Sequence, residues 1–289
     1  MKVVHIGFPK TATSFLQKTI FPQLSRDFRY FNNEASSALF VPLTNYDDTI
    51  FDSEGLRQQF VRACKGHRKA LFSYELLTGL HHQTGFVNRT LIANRLRELG
   101  FERVIITIRN QFDALESTYK QYVESGGVLE FDDYISFDLN KPRYLYPEYF
   151  DYYSIYRLYT EKFGQPNVLV LQYENLQNAS FLDDIFSFLD IKPFDVNFGD
   201  AINPSLSYQK TRILRLINHM TYNSFRPSHL ISKRISTAFF YRQLSRIPFL
   251  NSRKKFLNPH KRKLIASFYR ESNEKLQKNA GITLSSDYP

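Results

Sequence analysis

The stretch HIGFPKTATSF, residues 5–15, decides the fold of this chain. It overlaps an apolar run from Val3 to Phe8 that is short enough for a β-strand, and it leads into a helix-like segment running from about Ser14 toward Gln23. A strand–loop–helix junction of this kind indicates the first unit of an α/β sheet. The loop between strand and helix is where such sheets place a ligand.

The same loop has the chemistry of an anion site. The first turn of a helix offers unpaired backbone N–H groups and a partial positive charge. Lys10 adds a full positive charge, and hydroxyl donors come from Thr11, Thr13 and Ser14. These features predict a phosphate-binding loop. The alternative is that Thr13 or Ser14 only caps the helix while Lys10 lies on the surface.

Three further apolar, β-branched-rich runs are each followed by a helix-like segment: Ala70–Tyr74, Val104–Ile108 and Val168–Gln172. Alternating strands and helices predict an α/β fold with a mostly parallel central sheet of about four to five strands flanked by helices.

Strand signals fade after Ile202, and helical patterns take over the last third of the chain. They end in an amphipathic stretch from Lys261 to Lys278. No linker or repeat interrupts the chain, so we expect a single domain over residues 1–289. Its α/β cofactor-binding core would cover 1–200, and its helical, basic part would cover 201–289.

The positive charge of the chain is concentrated in one segment. The 289 residues hold 38 Lys and Arg against 28 Asp and Glu, a net charge of +10. From Ala201 to Arg270 there are 15 Lys and Arg and no acidic residue, so the rest holds 23 basic and 28 acidic residues. Such a surface raises the local concentration of anionic ligands. The alternative is a solvated basic face without a particular partner.

Composition also bears on the compartment. Cys64 is the only cysteine, which excludes an intrachain disulfide and favours a reducing compartment. A strand-like run begins at Lys2 and leaves no room for a signal peptide, and no stretch approaches the ~20 apolar residues of a membrane span. We expect a cytoplasmic protein, with peripheral contact to the inner face of the membrane as a further option. No residue spacing suggests a metal site.

The loop at residues 9–14 resembles the 5′-phosphosulfate loop of sulfotransferases that use PAPS (3′-phosphoadenosine 5′-phosphosulfate), which reads P-K-[ST]-G-T-[ST]. The resemblance implies a P-loop-like fold and a set of loop residues that bind PAPS: Lys10, Thr11, Ala12, Thr13 and Ser14. The departure from the pattern is Ala12, where the family has glycine. A positive φ at this position would strain an alanine, whereas a helical φ would not.

The end of the predicted strand Val104–Ile108 carries a second phosphate signal. Arg109 follows the strand, and Ser117 lies eight residues further on, so the two can converge on one phosphate. The alternative is an ordinary helix start, with Asn110 as cap and Asp113 as a favourable first-turn charge. The pattern R-N-x-x-D-x-x-x-S also resembles the family's 3′-phosphate motif, which implies that Arg109 and Ser117 bind the 3′-phosphate of PAPS.

Glu75, at the end of the run LFSYE, is the candidate general base for removing a proton from an acceptor hydroxyl. Several bacterial and carbohydrate-acting members of the family use a glutamate near this position, whereas cytosolic members often use a histidine. His81 and His82 are therefore the rival bases. A further alternative is that Glu75 only pairs with Lys10 or Arg109.

The segment from Val168 to Leu176 resembles the family's Y-E-D-L segment, which implies that Tyr173 lies beside the adenine; the alternative is a core tyrosine at a strand end. The family's R-K-G triplet is absent, and residues 253–255 (RKK) lack its glycine, so they receive no role. Lys10, Glu75, Arg109 and Tyr173 all follow the carboxyl ends of predicted strands, where open α/β sheets bind ligands.

These observations predict a PAPS-dependent sulfotransferase that uses no metal and acts on a hydroxyl group. Lys10 and Glu75 would be the catalytic residues. A P-loop kinase is disfavoured because Gly-Lys-Ser/Thr is missing. A non-enzymatic polyanion binder is the other alternative, and no specific nucleic acid is implied.

Basic and apolar residues interleave over 230–250, as in an amphipathic helix on a membrane or over an acidic glycan, so we expect a glycan or glycolipid acceptor. The oligomeric state is left open.

Overall fold

The structure is a computed structural model of the whole chain. It describes residues 1–79, 88–138, 144–176, 178–198, 206–221, 230, 237–251 and 254–289.

The described residues contain a five-stranded, all-parallel sheet, which confirms the predicted fold class. The strands lie in the order β2-β3-β1-β4-β5. Their bounds are β1 Lys2–Gly7, β2 Arg29–Phe31, β3 Ala70–Ser73, β4 Arg103–Ile108 and β5 Val168–Gln172. The four predicted strand runs are confirmed, and β2 is the additional edge strand.

Helices follow each strand and dominate the last third of the described chain. The first is α1 (Thr13–Phe15), which continues as a π-helix over Leu16–Ile20 and a 3₁₀-helix over Phe21–Arg26. The others are α2 Asn33–Asn45, α3 Ser53–Ala63, α4 Arg89–Glu98, α5 Gln111–Glu124, α6 Phe131–Tyr134, α7 Tyr152–Phe163, α8 Ala179–Leu189, α9 Tyr208–Asn218, α10 Thr237–Ser245 and α11 Pro259–Ala280. Within these ranges, no helix combines the length and apolar character needed to cross a bilayer.

Helices cover both faces of the sheet. Neighbouring residues of a strand point to opposite faces of the sheet, so the contacts of Leu71 and Phe72 on β3 show what packs against each face. Leu71 belongs to a buried cluster that includes Leu16 of the first helical segment and Ile185 of α8. Phe72 contacts the rings of other buried aromatics, among them Phe40 of α2 and Phe60 of α3. This burial on both sides explains why the strands read as continuous apolar runs.

The contacts divide the chain into two compact units. Unit 1 contains residues 1–110, 148–202 and 268–289, and unit 2 contains 111–147 and 203–267. Unit 1 has 21 basic and 21 acidic residues, whereas unit 2 has 17 basic and 7 acidic, so the net charge of the chain belongs to unit 2. Compact units need not fold independently, and the single domain stays a prediction.

The basic segment over 230–250 does not form one amphipathic helix, contrary to the expectation. The helix there, α10, ends at Ser245, and Pro248 starts a separate 3₁₀ turn. Proline has no N–H to continue a helix and restricts the residue before it, which explains the break. Residues 231–236 lie outside the described part of the chain.

Candidate active site

The centre of the sheet is also its topological switch point. The chain leaves β1 toward β3 and β2 on one side, and it leaves β4 toward β5 on the other. Open α/β sheets bind ligands outside the carboxyl ends of the strands at such a point. The loop after β1 carries Lys10 and the residue after β4 is Arg109, whose Nη1 donates a hydrogen bond of 3.1 Å to the Lys10 carbonyl oxygen. The two predicted phosphate loops are therefore adjacent.

The loop after β1 contains two residues in the left-handed region. Lys10 has φ 65° and Ala12 has φ 61°, a conformation that strains residues with a Cβ atom. Ala12 is the N-cap of α1, and no side chain caps this helix. The alternative in which Thr13 or Ser14 is the capping residue is therefore wrong. The sulfotransferase loop pattern has glycine at the position of Ala12, where glycine would adopt this conformation without strain.

A close approach under the loop fixes the position of Thr13. A Cβ atom on Gly7 would lie 2.3 Å from Oγ1 of Thr13 and 2.9 Å from Oγ1 of Thr107, so any larger residue would require these hydroxyls to shift. The Thr13 side chain is 2% exposed, and its Oγ1 has no hydrogen-bond partner among the described residues. Buried hydroxyls are normally satisfied, so this hydroxyl fits a site in which a ligand oxygen completes it.

Glu75 starts a 3₁₀ turn (Glu75–Thr78) directly after β3. Burial raises the pKa of the Glu75 carboxyl, and the positive charge of Lys10 opposes this effect by lowering the pKa. The alternative in which Glu75 only pairs with Lys10 or Arg109 stays a prediction. A half-buried carboxylate with a raised pKa beside a cation is suited to accept a proton.

The turn that carries Glu75 is held by groups that sequence reasoning missed. Oγ1 of Thr78 contacts the Gly7 carbonyl oxygen at 3.4 Å and the Tyr149 hydroxyl at 2.8 Å. Nε of the buried Arg89 donates to the Thr78 carbonyl oxygen at 2.8 Å, and the Arg89 guanidinium lies 4.6 Å from the Tyr149 ring centre. The turn is thereby tied to the end of β1. A lone arginine at a helix start gives no sequence signal for this role.

Arg109 is stacked on Tyr173, with its guanidinium 4.3 Å from the ring centre. Tyr173 is half-buried at the end of β5, so it is not a core tyrosine. The Tyr152 hydroxyl donates to the Arg109 carbonyl oxygen at 2.6 Å. The Tyr152 hydroxyl thus holds the backbone of Arg109, and the Tyr173 ring holds its side chain. The charge of Arg109 is therefore kept at the carboxyl end of β4.

Glu174, the residue after Tyr173, holds the start of the turn that follows β4. Oε1 of Glu174 accepts from the backbone N and the side-chain Nδ2 of Asn110, at 2.9 and 3.0 Å, and Oε2 accepts from the Tyr288 hydroxyl at 3.0 Å. Burial, followed by the Glu174 charge, raises the pKa of Tyr288. Sequence reasoning quoted Glu174 within a motif but gave it no role.

Two sequence predictions remain outside this cluster. Ser117 lies on α5 in unit 2, so its pairing with Arg109 stays a prediction. His81 and His82, the rival bases, lie outside the described residues. In the described ranges no group of three or more His, Cys, Asp or Glu side chains could hold a metal ion.

The fold can be compared with known proteins. A sulfotransferase from Alicyclobacillus acidocaldarius has a similar structure, with a TM-score of 0.59 over 99% of this chain and 97% of that protein, at 15% sequence identity. The chain has a sulfotransferase fold. Two weaker similarities are to mouse sulfotransferase SULT7A1 complexed with PAP and to a sulfotransferase domain from the curacin biosynthetic pathway.

For the mouse enzyme the TM-score is 0.41 at 14% identity, over 98% of this chain and 85% of that one. For the curacin domain it is 0.40 at 12% identity, over 67% and 74%. TM-scores below 0.5 do not establish a common fold. No protein-family model matches the sequence, and no curated protein is similar to it in sequence.

Proposed function

We propose that this protein is a sulfotransferase that moves a sulfuryl group from PAPS to a hydroxyl group of an acceptor. The observation that carries the proposal is the meeting of Lys10, Arg109 and Glu75 beyond three neighbouring strands of the sheet. Two cations and an orphaned buried hydroxyl suit a phosphosulfate, and a carboxylate of raised pKa suits the acceptor proton.

In the proposed reaction Glu75 removes the proton from the acceptor hydroxyl. A bond forms between the acceptor oxygen and sulfur, while the bond between sulfur and the 5′-phosphate oxygen breaks. Lys10 stabilises the negative charge that develops on the departing oxygen. Thr13, with its unpartnered Oγ1, donates to the same phosphate together with Ser14 and the backbone N–H groups of the loop, that of Thr11 among them. No step requires a metal.

The 3′-phosphate and the adenine of PAPS are assigned to residues that follow the neighbouring strands β4 and β5. Arg109 and Ser117 would bind the 3′-phosphate, and Tyr173 would lie beside the adenine. The Tyr173 ring and the Lys10 carbonyl oxygen together hold the Arg109 charge beside the loop after β1, which supports Arg109 in this role.

Calorimetry with 3′-phosphoadenosine 5′-phosphate (PAP), the product nucleotide, tests the proposal. We expect PAP to bind much more tightly than AMP, because AMP lacks the 3′-phosphate. Equal affinities would remove the roles of Arg109 and Ser117. A P-loop kinase would instead turn over ATP with Mg²⁺, and a polyanion binder would be indifferent to substitution of Lys10.

We propose a glycan or glycolipid as acceptor, with peripheral membrane contact of a cytoplasmic protein. Part of the positive charge of unit 2 is neutralised internally, since Lys255 pairs with Asp113 at 3.2 Å and Lys261 with Asp132 at 2.5 Å. Arg242 and Arg246 remain exposed, on and just after α10. Exposed cations on a unit of net charge +10 favour an anionic or membrane-borne acceptor.

A further inference from the structure

A buried histidine lies under the loop after β1. His5 is 0% exposed and sits at the middle of the sheet, level with Ser73 on the adjacent strand. Its Nδ1 is 2.7 Å from Oγ of Ser73, and its Nε2 is 3.1 Å from Oγ1 of Thr107 on β4. The imidazole therefore bridges the three central strands. None of the chemistry proposed above uses it.

The two ends of this bridge continue to other elements. On one side Nε2 of Gln17 donates to Oγ of Ser73 at 2.9 Å. On the other side Oγ1 of Thr107 is 2.9 Å from Oγ1 of Thr11, which donates to the Phe8 carbonyl oxygen at 2.6 Å. Five side chains, all less than a tenth exposed, thus form a continuous row; they are Gln17, Ser73, His5, Thr107 and Thr11.

The donors in this row can be assigned from its ends. A carbonyl oxygen only accepts, so the Thr11 proton is used on Phe8, and the Thr107 hydroxyl must supply the proton between the two threonines. The Thr107 oxygen then needs a proton from Nε2 of His5. The opposite tautomer would leave two hydroxyl oxygens facing each other at 2.9 Å without a proton.

The other end agrees with this assignment. An amide Nε2 only donates, so Ser73 accepts from Gln17 and keeps its own proton for Nδ1 of His5. Every hydroxyl in the row then donates once and accepts once. Burial lowers the pKa of His5 to about 3, so the ring stays neutral at ordinary pH.

We propose that His5, as the neutral Nε2–H tautomer, is a positioning residue that holds the phosphate loop through a one-way hydrogen-bond chain from Gln17 to Phe8. The effect on a ligand rests on the proposed function of the loop. Thr11 lies in the loop itself, and Thr107 lies 2.9 Å from where a Gly7 Cβ would be, beside Thr13. The chain therefore sets the position of the donors that would face the 5′-phosphate.

The tautomer and the charge of the His5 ring can be tested without any nucleotide. We expect ¹⁵N NMR of the full chain to show His5 protonated at Nε2 and unprotonated at Nδ1, with no titration between about pH 5.5 and 8.5. A titration near the ordinary histidine pKa, or an Nδ1–H ring, would overturn the proposal. This result does not depend on whether the protein binds PAP.

The positioning role is tested with Thr107→Val, which keeps the shape and removes the hydroxyl. The matched control is Thr44→Val on α2, whose buried hydroxyl bonds the Phe40 carbonyl oxygen away from the loop. We expect both variants to lose thermal stability, and only Thr107→Val to bind PAP about tenfold more weakly and to raise the Nδ1–H population of His5. Equal PAP affinity in the two variants would overturn the positioning role. Failure of the wild type to bind PAP would instead count against the proposed function.

Discussion

The guanidinium of Arg109 is bonded to the Lys10 carbonyl oxygen and stacked on the Tyr173 ring at the same time. One side chain therefore links the ends of β4, β1 and β5. Lys10 is held in a left-handed conformation at this point, so the bond from Arg109 also supports a strained backbone. Any nucleotide that touches both loops would bind to groups already joined in the free protein.

Arg109→Lys should weaken PAP binding about tenfold or more, because lysine lacks the planar fork and the stack on Tyr173. Arg103→Lys is the matched control. Arg103 begins the same strand, donates to the Phe188 carbonyl oxygen and lies over the Phe188 ring. Calorimetry measures both variants, and an equal loss of affinity in the two would argue against a nucleotide contact by Arg109.

Glu75→Gln should keep PAP affinity and lower turnover by ~10²–10⁴-fold, the usual effect of losing a positioned base. The wild-type acid limb of kcat/KM should lie above the ordinary glutamate pKa, because burial raises the pKa of Glu75. The measurement is a pH–rate profile with labelled PAPS. If Glu75→Gln stays active while His81→Ala or His82→Ala abolishes turnover, the base is a histidine.

The same substitution should stabilise the fold at neutral and alkaline pH. A raised pKa means that the ionised carboxylate is disfavoured in the folded state, and this penalty grows as the pH rises through the folded-state pKa. We expect Glu75→Gln to melt at a higher temperature than wild type at about pH 8, and the difference to vanish near about pH 4. Calorimetric melts of the wild type and the variant across this pH range measure the difference.

Ala12→Gly should stabilise the chain. The left-handed conformation costs an alanine ~1–2 kcal/mol, and the added freedom of glycine in the unfolded state returns ~0.4–1 kcal/mol of that. A net gain of roughly 0.5–1 kcal/mol in the free energy of unfolding is expected from denaturant titration. Ala93→Gly, in the buried and right-handed middle of α4, should lose stability instead. Destabilisation in both would show that the Ala12 conformation is not strained.

Neutralising Arg242 and Arg246 together should raise the acceptor KM and weaken its salt dependence, while PAP affinity stays unchanged. The control removes the same charge from unit 1, at Arg57 and Arg62 on α3. Acceptor kinetics at low and high salt check the expectation. If neither pair alters the kinetics, the charge of unit 2 does not act on the acceptor.

Short-range patterns predicted which strand ends carry the candidate site residues but not the backbone of the loop after β1. The sequence correctly placed four candidate residues at strand ends: Lys10, Glu75, Arg109 and Tyr173. Buried strands are recognisable as apolar runs, and ligand-binding groups follow their carboxyl ends. The three-residue strand β2 was missed because an edge strand this short has too few residues to show a period. The alternative in which Thr13 or Ser14 caps the helix was wrong: serine and threonine are strong caps in general, but here the N-cap position falls on Ala12.

The sequence by itself determined the parallel α/β architecture, the cation and hydroxyl groups of the loop after β1, and the excess of positive charge after residue 200. These follow from periodicity, residue type and counting, which need no knowledge of contacts between distant residues. Only the tertiary structure decided that Arg109 bonds Lys10, that His5 joins Ser73 to Thr107, and that Glu75 has a raised pKa. Each of these depends on the order of strands in the sheet and on burial, which bring together residues tens of positions apart in the chain.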